Sequence, residues 1–149
     1  MKPWIVGVVL TAGVVAGCGT DLQSPRDTAL LQLSLNRQKW SAQGIHNYSF
    51  NYDFTANVFS PPLHIEVRND LVTQVTDRSS GATYPNSTAP TVDSLFARVD
   101  TVIRTESADI TVTYDGQLGF PAKIEQPSNV PDGGSVTTVT SFQTVPPPP

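Results

Sequence analysis

Residues 91–124 read TVDSLFARVDTVIRTESADITVTYDGQLGFPAKI, and this run changes its apolar period partway through. In its first part Val92, Leu95, Phe96, Val99, Val102 and Ile103 recur every three or four residues, so they fall on one face of a helix. Thr91 stands before them as a cap, Asp93 lies in the first turn, and Asp100 and Arg104 form an i,i+4 pair outside. From Ile110 the period becomes two: Ile110, Val112 and Tyr114 alternate with threonines. Asp115-Gly116 and Gly119 then supply a turn, and Phe120, Ala122 and Ile124 form a returning strand. A helix followed directly by a hairpin predicts an α+β fold in which short connections make the pairing antiparallel.

The same order appears upstream. Ser24-Pro25 suits an N-cap followed by proline at the first helical position, and Leu30, Leu33, Arg37 and Trp40 recur at helical spacing with Leu31 beside them. Gly44 terminates a helix expected over Pro25 to Gln43. Tyr48, Phe50, Tyr52 and Phe54 then alternate with Ser49, Asn51 and Asp53, the pattern of a half-buried strand. Leu63, Ile65 and Val67 alternate with His64, Glu66 and Arg68, and Asn69-Asp70 turns the chain into the Leu71 to Thr76 run. The segment from Ser79 through Pro85 to Pro90 is expected to be an irregular loop. After Pro127 to Gly134, a second loop, the Thr- and Val-rich stretch Val136 to Val145 reads as a sixth strand.

The expected architecture is two helices packed on one face of a mainly antiparallel sheet of about six strands, with helix-strand-strand-strand occurring twice. That repeated order suggests a structural duplication, although no residue-level repeat accompanies it. Trp40, Leu95, Phe96, Val99, Phe50, Ile65, Val67, Val112 and Ile124 are expected to be buried together.

The N-terminus carries a different signal. Lys2 precedes an uncharged apolar stretch from Trp4 to Val15, and Val15-Ala16-Gly17-Cys18 follows. The stretch is shorter than the roughly 18 to 20 residues that cross a bilayer, so it reads as the apolar region of a secretory signal. An aliphatic residue, two small residues and cysteine form the lipoprotein cleavage pattern. Residues 1–17 are thus expected to be a signal peptide, with Cys18 the lipidated residue, 18–24 a tether, 25–145 a single domain and 146–149 a disordered proline tail. An ordinary secretory signal with an incidental cysteine is the alternative, and it leaves unexplained why the single cysteine falls where lipidation requires it. Gly19 provides no aspartate-type retention signal, which favours the outer membrane, facing the periplasm, in a cell that has one and otherwise the outer face of the cell membrane.

Charge narrows the partners. The chain carries 9 basic and 13 acidic residues, a net −4 that becomes −5 once Lys2 is removed. An acidic chain is repelled by nucleic acid and by anionic lipid, so no nucleic-acid partner is expected. With Cys18 acylated, no thiol remains for a disulfide or a nucleophile.

These residues resemble a family of uncharacterised bacterial lipoprotein-like proteins defined by a domain of unknown function. The matching features are Trp40 with Gly44-Ile45 and Tyr48-Ser49-Phe50, then Val67 with Asn69-Asp70-Leu71-Val72, Ser80-Gly81, and Thr91-Val92-Asp93-Ser94-Leu95-Phe96. Val112-Thr113-Tyr114-Asp115 through Gly119-Phe120-Pro121 to Ile124 complete the pattern, which spans about residues 30 to 126. Many members carry Cys-Phe-Cys-Pro-Pro where this chain has Val58-Phe59-Ser60-Pro61-Pro62, so the resemblance implies no thiol-based disulfide or metal site here. It implies fold and location, and no activity.

Candidate chemistry is sparse. His46 and His64 lack any close ligand spacing, and no metal or cofactor is expected. His64 should face solvent, and His46, in a helix-to-strand link, should make a backbone hydrogen bond. No G-x-S-x-G, S-x-x-K, H-E-x-x-H or phosphate loop is present. Asp53, Glu66, Asp115 and Glu125 could pair as carboxylates, yet acidic residues alternating on strands are more often a solvated sheet face. Asn47-Tyr48-Ser49 and Asn86-Ser87-Thr88 fit a glycosylation pattern but read as ordinary polar residues. The aromatic stripe more often packs beneath helices, with Tyr48 and Tyr52 leaving room for a partly open cleft, and Asp115 reads first as a turn-maker, with ligand recognition as its alternative role. Three functions remain open: a non-enzymatic lipid-anchored module binding an envelope component, a small envelope enzyme or ligand-binding protein, and an inhibitor of an envelope enzyme.

Overall fold

The structure, a computed structural model, describes residues 24–58, 60–105, 110–128 and 133–146. The expected signal segment, Cys18 and most of the expected tether lie outside the described residues, as do the last three prolines.

Helix α1 (Pro25–Ser41) begins as its sequence dictates: the Ser24 hydroxyl accepts the Asp27 N–H at 3.1 Å and Pro25 occupies the first turn. It ends two residues earlier than expected. The Gln43 and Gly44 N–H groups reach back only three residues, to Trp40 and Ser41, which tightens the last turn before Gly44 reverses the chain at φ 59°.

Strands β1 (Tyr48–Thr55), β2 (Leu63–Arg68) and β3 (Leu71–Asp77) form a meander. Asn69 and Asp70 join the last two with φ of 48° and 65°, the two left-handed residues of a tight hairpin turn. The segment after β3 is more ordered than its composition suggested. Pro85 fixes the entry to a 3₁₀ turn at Asn86–Thr88, closed by the Thr88 N–H and hydroxyl on the Pro85 carbonyl. Asn86 Nδ2 donates to the Thr73 carbonyl and Thr76 bridges Thr83, so this segment covers the outer edge of β3.

Helix α2 (Val92–Thr105) is capped by Thr91, whose Oγ1 accepts the Ser94 N–H at 3.2 Å, and all six residues of its apolar face are buried. Strands β4 (Thr111–Tyr114), β5 (Pro121–Gln126) and β6 (Ser135–Thr144) complete a fully antiparallel sheet in the order β3-β2-β1-β6-β5-β4.

Both helices lie on the same face of this sheet, because one side chain touches both. Tyr48 points from β1 into the core, where Trp40 of α1 meets its ring edge-on at 5.5 Å and its hydroxyl accepts the Val92 N–H of α2 at 3.1 Å. Around it Leu33, Trp40, Phe50, Ile65, Val67, Leu95, Phe96, Val99, Phe120, Ile124 and Val139 form one core. Val112, expected among them, is only half-buried, since β4 is the sheet's far edge and has neighbours on one side.

The order α-β-β-β does occur twice, but the halves do not superpose. Read from one side, the first half runs β3-β2-β1 and the second β6-β5-β4, with β4 antiparallel to β1. A half-turn about the sheet normal that aligns β4 with β1 would give the order β4-β5-β6 instead. With both helices on one face, the halves are opposite in hand, and a simple duplication is excluded.

Candidate functional site

The turn between β4 and β5 is built by Asp115. Its Oδ1 accepts the N–H groups of Gln117 at 2.9 Å and Leu118 at 2.7 Å, while its own N–H donates to the Phe120 carbonyl at 2.8 Å. Gly119 follows at φ 85°, a conformation glycine adopts without penalty. A Cβ there would stand 2.7 Å from the Asn36 carbonyl oxygen of α1, so the turn lies directly on that helix. Lys39 Nζ donates to the Gly116 carbonyl and ties the turn to the same helix. Asp115 is therefore first a turn-maker.

Leaning onto α1 draws this turn away from β6. The β5–β6 ladder runs only from Gln126↔Ser135 to Lys123↔Thr138, whereas β6 continues along β1 as far as Thr144. β6 also bulges: Ser49 faces Gln143 and Asn51 faces Thr140, so one residue of β1 opposes Ser141 and Phe142 together, with Ser141 at φ 51°. Between the turn and the bulge is a notch of about 460 Å³. Phe120 and Phe142, stacked with ring centroids 4.8 Å apart, form its apolar floor, and Asp115, Gln117, Thr140 and Ser141 contribute its polar lining. Such a combination binds by apolar contact beneath and hydrogen bonds at the margin.

The other site candidates are placed elsewhere. Tyr48 has no exposed surface, and burial pushes its phenol up to about 12, so it lines no cleft. Tyr52 is 9% exposed and belongs to the same core, where the aromatic stripe packs beneath the helices. His46 pairs by Nδ1 with the Asp70 carboxylate at 2.8 Å, where a bond to backbone was expected. The reason is local: the Asp70 N–H donates to the His46 carbonyl and the Asn69 N–H to the Asn47 side chain, which brings the hairpin turn against this link. His64 is half-buried on the open sheet face and contacts Asn51 Oδ1 at 3.0 Å.

That open face carries three of the four candidate carboxylates, each beside a cation. Asp53 pairs with Arg78, Glu66 with Arg68 at 3.7 Å and Glu125 with Lys123 at 2.8 Å. Among the described residues no three His, Cys, Asp or Glu side chains converge as a metal site, and no helix is long and apolar enough to cross a membrane.

Sequence reasoning reached Asp115 but missed Gln117, Thr140, Ser141 and Phe142. A serine in the left-handed region has no compositional signature, and the Thr- and Val-rich run reads as an unbroken strand. The bulge shows only once the strands are paired, when nine residues of β6, from 136 to 144, oppose the eight of β1.

Neither a curated protein nor a solved structure matches this chain. The defining pattern of a family of unknown function does match, over residues 32–144, from within α1 to the end of β6. The chain belongs to that family, DUF6174.

Proposed function

We propose that this is a lipid-anchored cell-envelope protein whose domain is a non-enzymatic binding module, recognising another envelope component at the notch between β5 and β6. The observation that carries the binding role is the notch itself, with its stacked Phe120 and Phe142 and the side chains of Gln117, Thr140 and Ser141 around them. The anchor is supported by the order of Lys2, the apolar stretch and Val15-Ala16-Gly17-Cys18. An interaction role also fits the open face, where charged groups sit in neutralised pairs and the side chains are mostly polar.

Two measurements test this. Fatty-acid labelling should mark the wild type and not Cys18→Ser; an unlabelled wild type that fractionates as a soluble exported protein removes the anchor. A photo-crosslinking amino acid at Gln117 or Thr140, in cells making the lipidated protein, should yield a discrete adduct absent when the probe replaces Gln74 on the open face. Identical adduct patterns from all three positions would dismiss the notch.

A further inference from the structure

Helix α1 buries only Leu33 and Trp40 fully, and its remaining leucines are not all turned inward. At 100° per residue, Leu31 and Leu35 each lie about 160° from Leu33 around the helix, directly away from the core. They are 47% and 50% exposed, one turn apart. Their exposed neighbours Thr28, Gln32, Gln38 and Ala42 are uncharged. The cations of α1 are held elsewhere: Arg26 donates to the Arg104 carbonyl, the Arg37 guanidinium lies 5.5 Å from the Phe96 ring centre, and Lys39 bonds Gly116. Asp27, at the margin, is engaged by Ser24.

The position of this face in the chain says what covers it. Five residues, Gly19 to Gln23, separate Cys18 from the Ser24 cap. Six Cα steps reach about 20 Å at full extension, so a lipid on Cys18 holds the start of α1 within that distance of the bilayer. The helix, about 25 Å long, therefore begins within reach of the membrane surface and is held near it at that end.

We infer that the Leu31–Leu35 face of α1 rests on the bilayer as a second contact and sets the orientation of the domain. This rests on the lipid anchor proposed above. Tethering makes the second contact intramolecular, so two half-exposed leucines suffice where they could not recruit a free protein. The acidic net charge does not oppose it, because the contacting face is neutral and the lipid surface it fits is zwitterionic. With α1 on the membrane, the sheet's open face, opposite the helices, is directed away from it.

The test uses the full lipidated protein in phosphatidylcholine vesicles. Because acylation consumes Cys18, Leu35→Cys carries the only free thiol and accepts an environment-sensitive fluorophore; Gln74→Cys on the open face is the comparator. Lipid-attached nitroxide should quench the label at 35 severalfold more than the label at 74, and aqueous iodide should do the reverse, both unchanged in high salt. If the protein floats with vesicles while both labels respond alike, the second contact is absent and the anchor stands. Shielding from iodide without nitroxide quenching means a second copy covers the face, which also overturns the inference. Failure to float removes the anchor and this contact with it.

Discussion

Replacing Gly119 by alanine tests how the β4–β5 turn is seated, since the added methyl meets two separate penalties. The first is conformational: at φ 85° an L-residue loses about 1–2 kcal/mol relative to glycine. The second is contact. The Cβ would stand 2.7 Å from the Asn36 carbonyl oxygen and 3.1 Å from Lys39 Cβ, and the first of these is helix backbone that cannot swing aside. Overpacking of this kind costs about 1–3 kcal/mol, so the two together predict a loss near 3 kcal/mol. With a urea slope of about 1.5 kcal/mol per molar, the unfolding midpoint falls by about 2 M. Two other glycines separate the terms. Gly44 is at φ 59° with open space around it, so Gly44→Ala incurs only the conformational part; Gly116 has neither penalty, and Gly116→Ala should stay within about 0.5 kcal/mol. Trp40, buried against Phe120 in the same region, reports the transition by fluorescence. If Gly119→Ala loses no more than Gly44→Ala, the turn is not seated on α1 and the notch beside it is not fixed either.

Tyr48→Phe removes the acceptor of the buried Val92 N–H, and should cost about 1–3 kcal/mol in chemical denaturation with the fold retained by circular dichroism. The alkaline limb of stability follows from the same group. Burial raises Tyr48 to about 12, and burial, partly offset by Arg37, does the same for Tyr114. Native phenols that hold protons more tightly than unfolded ones contribute stability that is complete below pH 10 and lost as pH rises toward 12; a flat unfolding free energy between those values refutes it. At the other end, hydrogen bonds from the Ser80 hydroxyl and the Ser79 N–H hold the Asp77 carboxyl below its ordinary value. Its contribution is present above about pH 4 and disappears as pH falls through the lowered native value, so Asp77→Ala should flatten the acid limb of a pH–stability curve.

Much of the architecture was legible because several signals agreed at each point. Ser24-Pro25, Thr91, Asn69-Asp70 and Gly44 marked boundaries that the structure keeps within two residues, and the apolar period of α2 named all six of its buried residues. What escaped were events that depend on a partner element. The 3₁₀ turn at Asn86–Thr88 is held against β3, through Thr73 and the Thr76–Thr83 bridge, which composition alone does not encode. The role of His46 depends on a hairpin turn more than twenty residues away, and Val112 is only half-buried because β4 ends the sheet. In helix α1 the spacing of Leu33 and Trp40 named the inward side, while the exposure of Leu31 and Leu35 opposite them was not foreseen.

The motif that carries the family resemblance is accounted for by folding. Asp115 closes a turn, Gly119 lets that turn meet α1, Trp40 packs on Phe120, and Tyr48 ties β1 to the start of α2. Each of these residues has its polar atoms or its volume committed within the domain. Residues so committed position a site without choosing its ligand, as fold and function are separable. The turn they build nonetheless has a consequence for the proposed recognition. By drawing residues 115–120 toward the helix layer it ends the β5–β6 ladder at Thr138 and leaves the bulge at Ser141 beside open space. The side chains free to discriminate are then those the motif does not specify, Gln117, Thr140 and Ser141, which lie on the notch without a structural duty to their side chains. Substituting them should alter what is bound while leaving the unfolding midpoint in place, whereas substituting Gly119 should move the midpoint and lose binding together.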